Sequence, residues 1–340
     1  MKRKIFYGVW CCIGSALLAV SLFYLWLRPV NETSLRIGYN IGSVTHAPIM
    51  VAHDAGIFDK HKLKVELVPL KSGQEIQQAL ALGMIDIGSA GATNFFIPIS
   101  KGAPIKIIAP SSSSPTQVFV RPDNKIKTIN DLVGKAIASK LGESSNLALG
   151  YALSKDNISF SSIKIVDIEK TLRPIALMEK KIVDAAVAGE YEKKIYLDHG
   201  AVIFEEWKTK GYTNKSFPRT VIAVSSDFMA KNKKTVKLFI DAFIESQKYI
   251  KDHPDEAARI VAKHIETGSE GVIKFSTDDI KEAWQETKYV LWYEPSDLVE
   301  ISKIEKEMGI IDSVLTLDQI FDLSFEKKLK DAQNEIYPIN

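Results

Sequence analysis

The sequence predicts an α/β protein with two similar lobes around a ligand cleft, preceded by an N-terminal transmembrane helix. Three observations predict it. From Leu35 onward, short β-branched runs alternate with helical patterns, the mark of βαβ units and parallel sheets. The strand–helix order then recurs: Asp86-Ile87-Gly88-Ser89-Ala90-Gly91 aligns with Asp184-Ala185-Ala186-Val187-Ala188-Gly189, 98 residues further on, and Ile37 with Ile137. Finally, Ile5 to Leu27 forms a 23-residue run without a charge.

That run would extend roughly 35 Å as a helix, enough to span a bilayer. It ends in Phe23-Tyr24-Leu25-Trp26-Leu27-Arg28-Pro29, which lacks the small residues of a signal-peptidase site. Trp10 stands where a lipoprotein signal before Cys11 needs a small residue. Residues 1–30 therefore read as an uncleaved signal anchor, with an atypical cleaved signal peptide as the alternative. Lys2, Arg3 and Lys4 precede the run, so the positive-inside rule places the body on the extracytoplasmic side.

In the first lobe, strands are expected at Leu35 to Tyr39, Lys64 to Val68, Ile85 to Ser89 and Ile105 to Ala109. Helices are expected between them at Ala47 to Asp54, Gly73 to Leu82 and Ala92 to Lys101. After Gln117 to Val120, the second lobe has strands at Lys135 to Ser139, Ile163 to Ile168 and Asp184 to Val187. Its helices are expected at Ser144 to Lys155, Leu172 to Lys180 and Glu190 to Asp198. The chain should cross between lobes at Pro110 to Gln117, where serines and Pro115 break both patterns, and again near Phe217 to Val221. Beyond Val224 the pattern is helical: Lys234 to His253, Pro254 to Ile265, Thr277 to Lys288 and Ser296 to Met308. The expected domains are thus 35–112 with 218–340 as lobe one, and 117–215 as lobe two.

The 340 residues are 46% hydrophobic and 25% charged, which excludes a disordered or collagen-like chain. The 44 basic and 42 acidic residues divide unevenly: the first 28 hold four basic groups and no acid, leaving a body with a net charge of −2. That balance gives no reason to expect nucleic acid as a partner. Both cysteines, Cys11 and Cys12, lie in the apolar run, so the body folds without disulfides or thiolate metal sites. No phosphate-binding loop, H-E-x-x-H, C-x-x-C or nucleophile elbow is present, and the six histidines lack metal-ligand spacing. No enzyme activity, cofactor or metal is expected.

The remaining chemistry lies in loops at the carboxyl ends of strands, where open α/β sheets place ligands. Ser43, Thr45 and His46 follow the first strand, and Gly91, Ala92 and Thr93 follow the third. In lobe two, Ser144, Ser145 and Asn146 follow the strand at 135–139, and Glu190 follows the strand at 184–187. Gln117 joins them at the crossing. Each loop opens a helix, so free backbone N–H groups and hydroxyls would face the cleft and suit an anion. The same residues serve equally as helix N-caps. Glu143 and Glu190 would instead accept an amine or ring N–H.

Several motifs occur in an order that resembles the solute-binding proteins of ABC importers, in the branch of nitrate, taurine, aliphatic-sulfonate and thiamine-pyrimidine binders. They are Arg36-Ile37-Gly38-Tyr39, His46-Ala47-Pro48, Ala55-Gly56-Ile57-Phe58, Gln78-Ala79-Leu80 with Gly83-Met84-Ile85-Asp86-Ile87-Gly88, and Ser100-Lys101-Gly102-Ala103-Pro104-Ile105. Ile129-Asn130-Asp131-Leu132-Val133-Gly134-Lys135, Val224-Ser225-Ser226-Asp227-Phe228 and His253-Pro254-Asp255-Glu256-Ala257 follow. The resemblance implies a type II periplasmic-binding-protein fold acting as a monomer with a permease and an ATPase. It also implies ligand loops at Ser43 and His46, Gly91 to Thr93, Ser144 to Asn146, and Glu190. A sulfonate, nitrate or related compound is the first expectation for the ligand, and a thiamine-type pyrimidine the second. A ligand sensor and a pyrimidine-precursor synthase are rival readings; the body lacks the clustered cysteines of such synthases.

Overall fold

The computed structural model describes residues 34–139, 143–169, 172–189, 192–210, 218–271 and 273–338. The expected anchor at 1–30 therefore lies outside the described residues. Among those described, no helix is long and apolar enough to cross a membrane.

Eleven strands form two sheets among the described residues. The first sheet contains β1 (Leu35–Asn40), β2 (Val65–Leu70), β3 (Ile87–Ala90), β4 (Ile105–Ser113), β10 (Pro218–Ser225) and β11 (Lys288–Tyr289). The second contains β5 (Thr116–Val120), β6 (Ala136–Ser139), β7 (Lys164–Asp167), β8 (Ala185–Gly189) and β9 (Val202–Ile203). Their orders are β11-β4-β10-β3-β1-β2 and β7-β6-β8-β5-β9. In each sheet three parallel strands are followed by one antiparallel strand that enters from the other half of the chain: β10 beside β3, and β5 beside β8.

One local contact repeats in both sheets. Asp86 Oδ2 accepts the Arg36 N–H at 2.8 Å, and Asp184 Oδ2 accepts the Ala136 N–H at 2.9 Å. Each aspartate precedes the central strand of its sheet and satisfies an amide of the neighbouring strand, which fixes the register of the pair.

The helices fill the connections. The first half holds α1 (Ala47–Asp54), α2 (Ile57–Lys60), α3 (Gly73–Ala81) and α4 (Ala92–Ser100), and the second sheet carries α5 (Ser144–Lys155), α6 (Arg173–Met178), α7 (Lys193–Asp198) and α8 (Glu205–Thr209). The C-terminal part adds α9 (Ser226–Lys231), α10 (Lys233–Asp252), α11 (Pro254–Gly268), α12 (Thr277–Glu286), α13 (Pro295–Glu307), α14 (Leu317–Ile320) and α15 (Glu326–Ile336). Local chemistry sets their ends. Ser72 accepts the Glu75 N–H, and Glu75 reaches back to the Lys71 N–H, starting α3. Pro254 opens α11, with Asp255 and Glu256 in its first turn. Helix α10 buries Val236, Phe239, Ile240, Phe243 and Ile250, a single stripe at three- and four-residue spacing.

The first sheet is covered on one face by α1, α10 and α11. Its other face shares a core with the second half of the chain, in which Phe95 and Phe96 of α4, Leu147 and Leu149 of α5, and Leu298 and Ile301 of α13 pack together. Helix α13 thus touches both α4 and α5. Close to its end, Met308 packs so tightly on Gly150 of α5 that a Cβ there would lie 2.3 Å from the sulfur.

The short strands β9 and β11 are not among the expected strands, Lys288 falling at the end of an expected helix, and two further differences bear on the crossings. β4 continues through Pro110 to Ser113, because β10 bulges opposite that stretch and tolerates the missing N–H. The crossing from the first sheet to the second is accordingly confined to Ser114 and Pro115. The second crossing, expected near Phe217 to Val221, overlaps the long strand β10 (Pro218–Ser225); β10 is buried from Thr220 to Val224, so its apolar run shows no alternation.

Candidate functional site

The carboxyl ends of the two sheets meet at a polar cavity of about 60 Å³. From the first sheet's side come Asn40, Ser43, Thr45, His46, Ser72, Gly73, Gln74, Ala90, Gly91 and Asn94; from the second come Glu143, Ser145 and Glu192, and Thr220 lines the floor from β10. Helices α3, α4 and α5 all point their N-termini here, with Ser72, Gly91 and Glu143 as their caps.

The side chains are held by local bonds. Ser43 caps the turn Val44–His46, and its Oγ lies 2.8 Å from Thr45 Oγ1. His46 is buried, with Nδ1 at 2.9 Å from Ser89 Oγ. Gly73 is required by packing: a Cβ would meet Asn94 Oδ1 at 2.1 Å.

Charge is concentrated on the second sheet's side. Arg173, at 1% exposure, donates to both oxygens of Glu143 at 2.9 and 3.0 Å, and its Nε donates to the Ile168 carbonyl at 2.8 Å. Burial alone would lower the Arg173 pKa, but the charge and hydrogen bonds of Glu143, with Glu192 adding to them, raise it above the ordinary arginine value. Arg173 is therefore a fixed cation that anchors Glu143 at the start of α5. Glu192 is 6% exposed, and its Oε2 accepts the Gly189 N–H at 2.8 Å. No lysine or arginine among the described residues lines this cavity.

A larger outer chamber of about 460 Å³ shares Asn40 and Glu192 with the polar cavity. Ile41, Pro174, Ile195, Tyr196, Ile273 and Phe275 give it apolar walls, and Lys71, Glu169 and Glu270 lie on it.

Of the residues expected from the sequence, Ser43, Thr45, His46, Gly91, Glu143 and Ser145 line the polar cavity. Ala92, Thr93, Gln117 and Asn146 are buried but lie outside that lining. Asn146 turns away, accepting from Ser139 Oγ at 2.5 Å. Ser144 begins α5. Glu190 lies outside the described residues. Glu192, Ser72, Gly73 and Thr220 are among the lining residues that sequence reasoning missed. For Ser72 the Ser-x-x-Glu box before α3 was the available signal. Among the described residues, no group of acidic, histidine or cysteine side chains is arranged to hold a metal ion.

The model of the family described as "NMT1/THI5 like" matches residues 43–257. The chain belongs to the NMT1/THI5-like family. That match runs from Ser43 through β10 into α11, and so spans the described lining residues of the polar cavity except Asn40. A protein of Brachyspira hyodysenteriae, provisionally named an ABC transporter periplasmic binding protein, is 24% identical over 267 residues, which are 74% of this chain and 75% of that protein. A Legionella pneumophila protein named 4-amino-5-hydroxymethyl-2-methylpyrimidine phosphate synthase is 20% identical over 64% of this chain and 69% of that protein. Among solved structures, the periplasmic aliphatic sulphonate binding protein SsuA of Escherichia coli superposes with a TM-score of 0.69 at 18% identity, over 85% of this chain and 92% of that one. The fold is that of the periplasmic binding proteins, α/β with two sheets.

Proposed function

We propose that this chain is the extracytoplasmic solute-binding component of an ABC importer, which captures a small polar solute between two lobes and delivers it to a permease with its ATPase. The observation that carries this reading is a single polar cavity lined from both sheets at their carboxyl ends, where three helix N-termini converge. The lobes are 35–112 with 218–340, and 117–215. A ligand that touches both favours the closed arrangement by its differential affinity for closed over open. The permease reads the closed surface.

The relatives support a sulfonate, nitrate or related compound as the ligand class, since a sulphonate-binding protein shares the fold. A thiamine-type pyrimidine is the second reading, favoured by the pyrimidine phosphate synthase among the relatives. Binding without chemistry fits the binding-protein relatives. Residues 1–30 anchor the monomeric body to the membrane in this proposal; a mature mass lacking the first 25 to 30 residues would overturn that part.

A thermal-shift screen of the full chain in mild detergent tests the main reading, with alkanesulfonates, nitrate, thiamine precursors, amino acids and amines as the panel. A true ligand at 100 times its dissociation constant adds about 2.7 kcal/mol. A panel without a single stabilising compound refutes it.

A further inference from the structure

The polar cavity contains an unmet acceptor. Glu192 is more than nine-tenths buried and lines both chambers, yet its one hydrogen bond among the described residues is the Gly189 N–H on Oε2. Oε1 has no donor among the described residues, so it can accept from a molecule in the cavity. On the same side of the cavity, Glu143 brings a second carboxylate, and the cation that balances it, Arg173, is buried and held by three hydrogen bonds, two of them to Glu143.

The wider balance has the same sign. The two chambers are lined by Glu143, Glu169, Glu192 and Glu270 against Lys71, with Arg173 buried behind. Among the described residues, four acidic against two basic groups leave a net −2 around the cleft. Helix N-termini contribute on the order of half a charge each and fall off within one turn. An anion entering here would meet two carboxylates and, among the described residues, no lysine or arginine lining the inner cavity; an ammonium group would meet two acceptors. The shape adds a second constraint. An inner cavity of about 60 Å³ admits only a small head group, whereas the outer chamber offers about 460 Å³ between Ile41, Pro174, Ile195, Ile273 and Phe275.

We propose that the ligand is an organic cation, with a protonated amine head between Glu143 and Glu192 in the inner cavity and an apolar body in the outer chamber. This rests on the reading of the cleft as a solute site and narrows its ligand. An aminosulfonate is compatible with it if the amine end enters first. A sulfonate lacking an amine is not.

Two probes that share a body and differ in head charge test the proposal: phenethylamine and 2-phenylethanesulfonate, titrated calorimetrically into the full chain in nonionic detergent. Phenethylamine should bind at least tenfold more tightly. Glu192→Gln should weaken it tenfold or more and leave the sulfonate within twofold, since glutamine retains an acceptor for Gly189 but loses the charge. Should that variant fail to fold, the salt dependence of the wild-type amine affinity, which should fall as ionic strength rises, provides the readout. Equal or tighter binding of the sulfonate overturns the proposal and leaves the solute-binding reading intact. Failure of both probes also overturns it, and the broad thermal-shift panel then decides the solute-binding reading separately.

Discussion

Replacing Arg173 with methionine removes the guanidinium and retains much of the side-chain volume. The structure sets the size of the effect. Arg173 is buried and spans Glu143 with bonds of 2.9 and 3.0 Å, placing the charge centres about 4 Å apart, which at an effective dielectric of about 20 amounts to about 4 kcal/mol. Removing one partner of such a pair leaves the other charge unbalanced, at a typical cost of about 3–5 kcal/mol. The Ile168 carbonyl also loses its donor. Arg173→Met should therefore destabilise the chain by about 4 kcal/mol, and Glu143→Leu by a similar amount. The double variant should cost less than either single one, because no lone charge remains buried. Urea denaturation at neutral pH, followed by circular dichroism, reads all three. A cost below about 1 kcal/mol for Arg173→Met, or a double variant that equals the sum of the singles, would refute the view that this pair anchors the start of α5.

Three further outcomes are expected. Glu305 on α13 is 1% exposed, its Oε2 has no partner, and burial raises its pKa well above the ordinary 4.5, so the folded state holds the proton that the unfolded state releases; its contribution to stability is present below pH 4.5 and is lost as pH rises toward neutrality. Glu305→Gln should flatten that slope and raise the neutral-pH melting temperature, and an unchanged slope in melts from pH 4.5 to 8 would contradict it. Asp86 accepts from the Arg36 amide, Nε and Nη2, whereas Asp184 accepts from the Ala136 amide, so Asp86→Ala should cost about 3 kcal/mol and Asp184→Ala about 1.5 kcal/mol in denaturant titrations, the reverse order refuting the reading. Gly73→Ala forces a methyl against Asn94 at the cavity wall and should cost about 1–3 kcal/mol while weakening any ligand found by the screen; unchanged affinity by calorimetry would remove Asn94 from the site.

The alternation of strands and helices was legible because each βαβ unit writes its own period into the chain. The repeat was legible in Asp86 and Asp184, whose carboxylates perform the same task in the two sheets. β10 was hidden because it is buried between β3 and β4, and a continuously apolar stretch from Val221 to Val224 reads equally as strand or connection. In the site, Ser43, His46, Gly91 and Ser145 were legible from their place after strands. Thr93 and Asn146 followed the same rule and yet lie behind the cavity, since successive residues in the first turn of a helix point about 100° apart and sequence alone does not fix which faces the cleft. Glu192 lies just past the loop read after β8, and nothing in the sequence marks that its carboxylate accepts the Gly189 amide. Thr220 comes from more than 70 residues away in sequence from Ser145, a neighbourhood that only the crossed topology creates.

Helix α13 packs on α4 and α5, two helices whose N-termini face the cavity. Mechanically it is a fulcrum behind a pair of jaws. If the lobes move as proposed, changing the Met308–Gly150 contact alters the stiffness of that pivot without touching a bound molecule. The dwell time of cargo, and with it the pace of hand-over, is then adjustable from a residue outside the cavity lining, independently of which cargo the cleft selects.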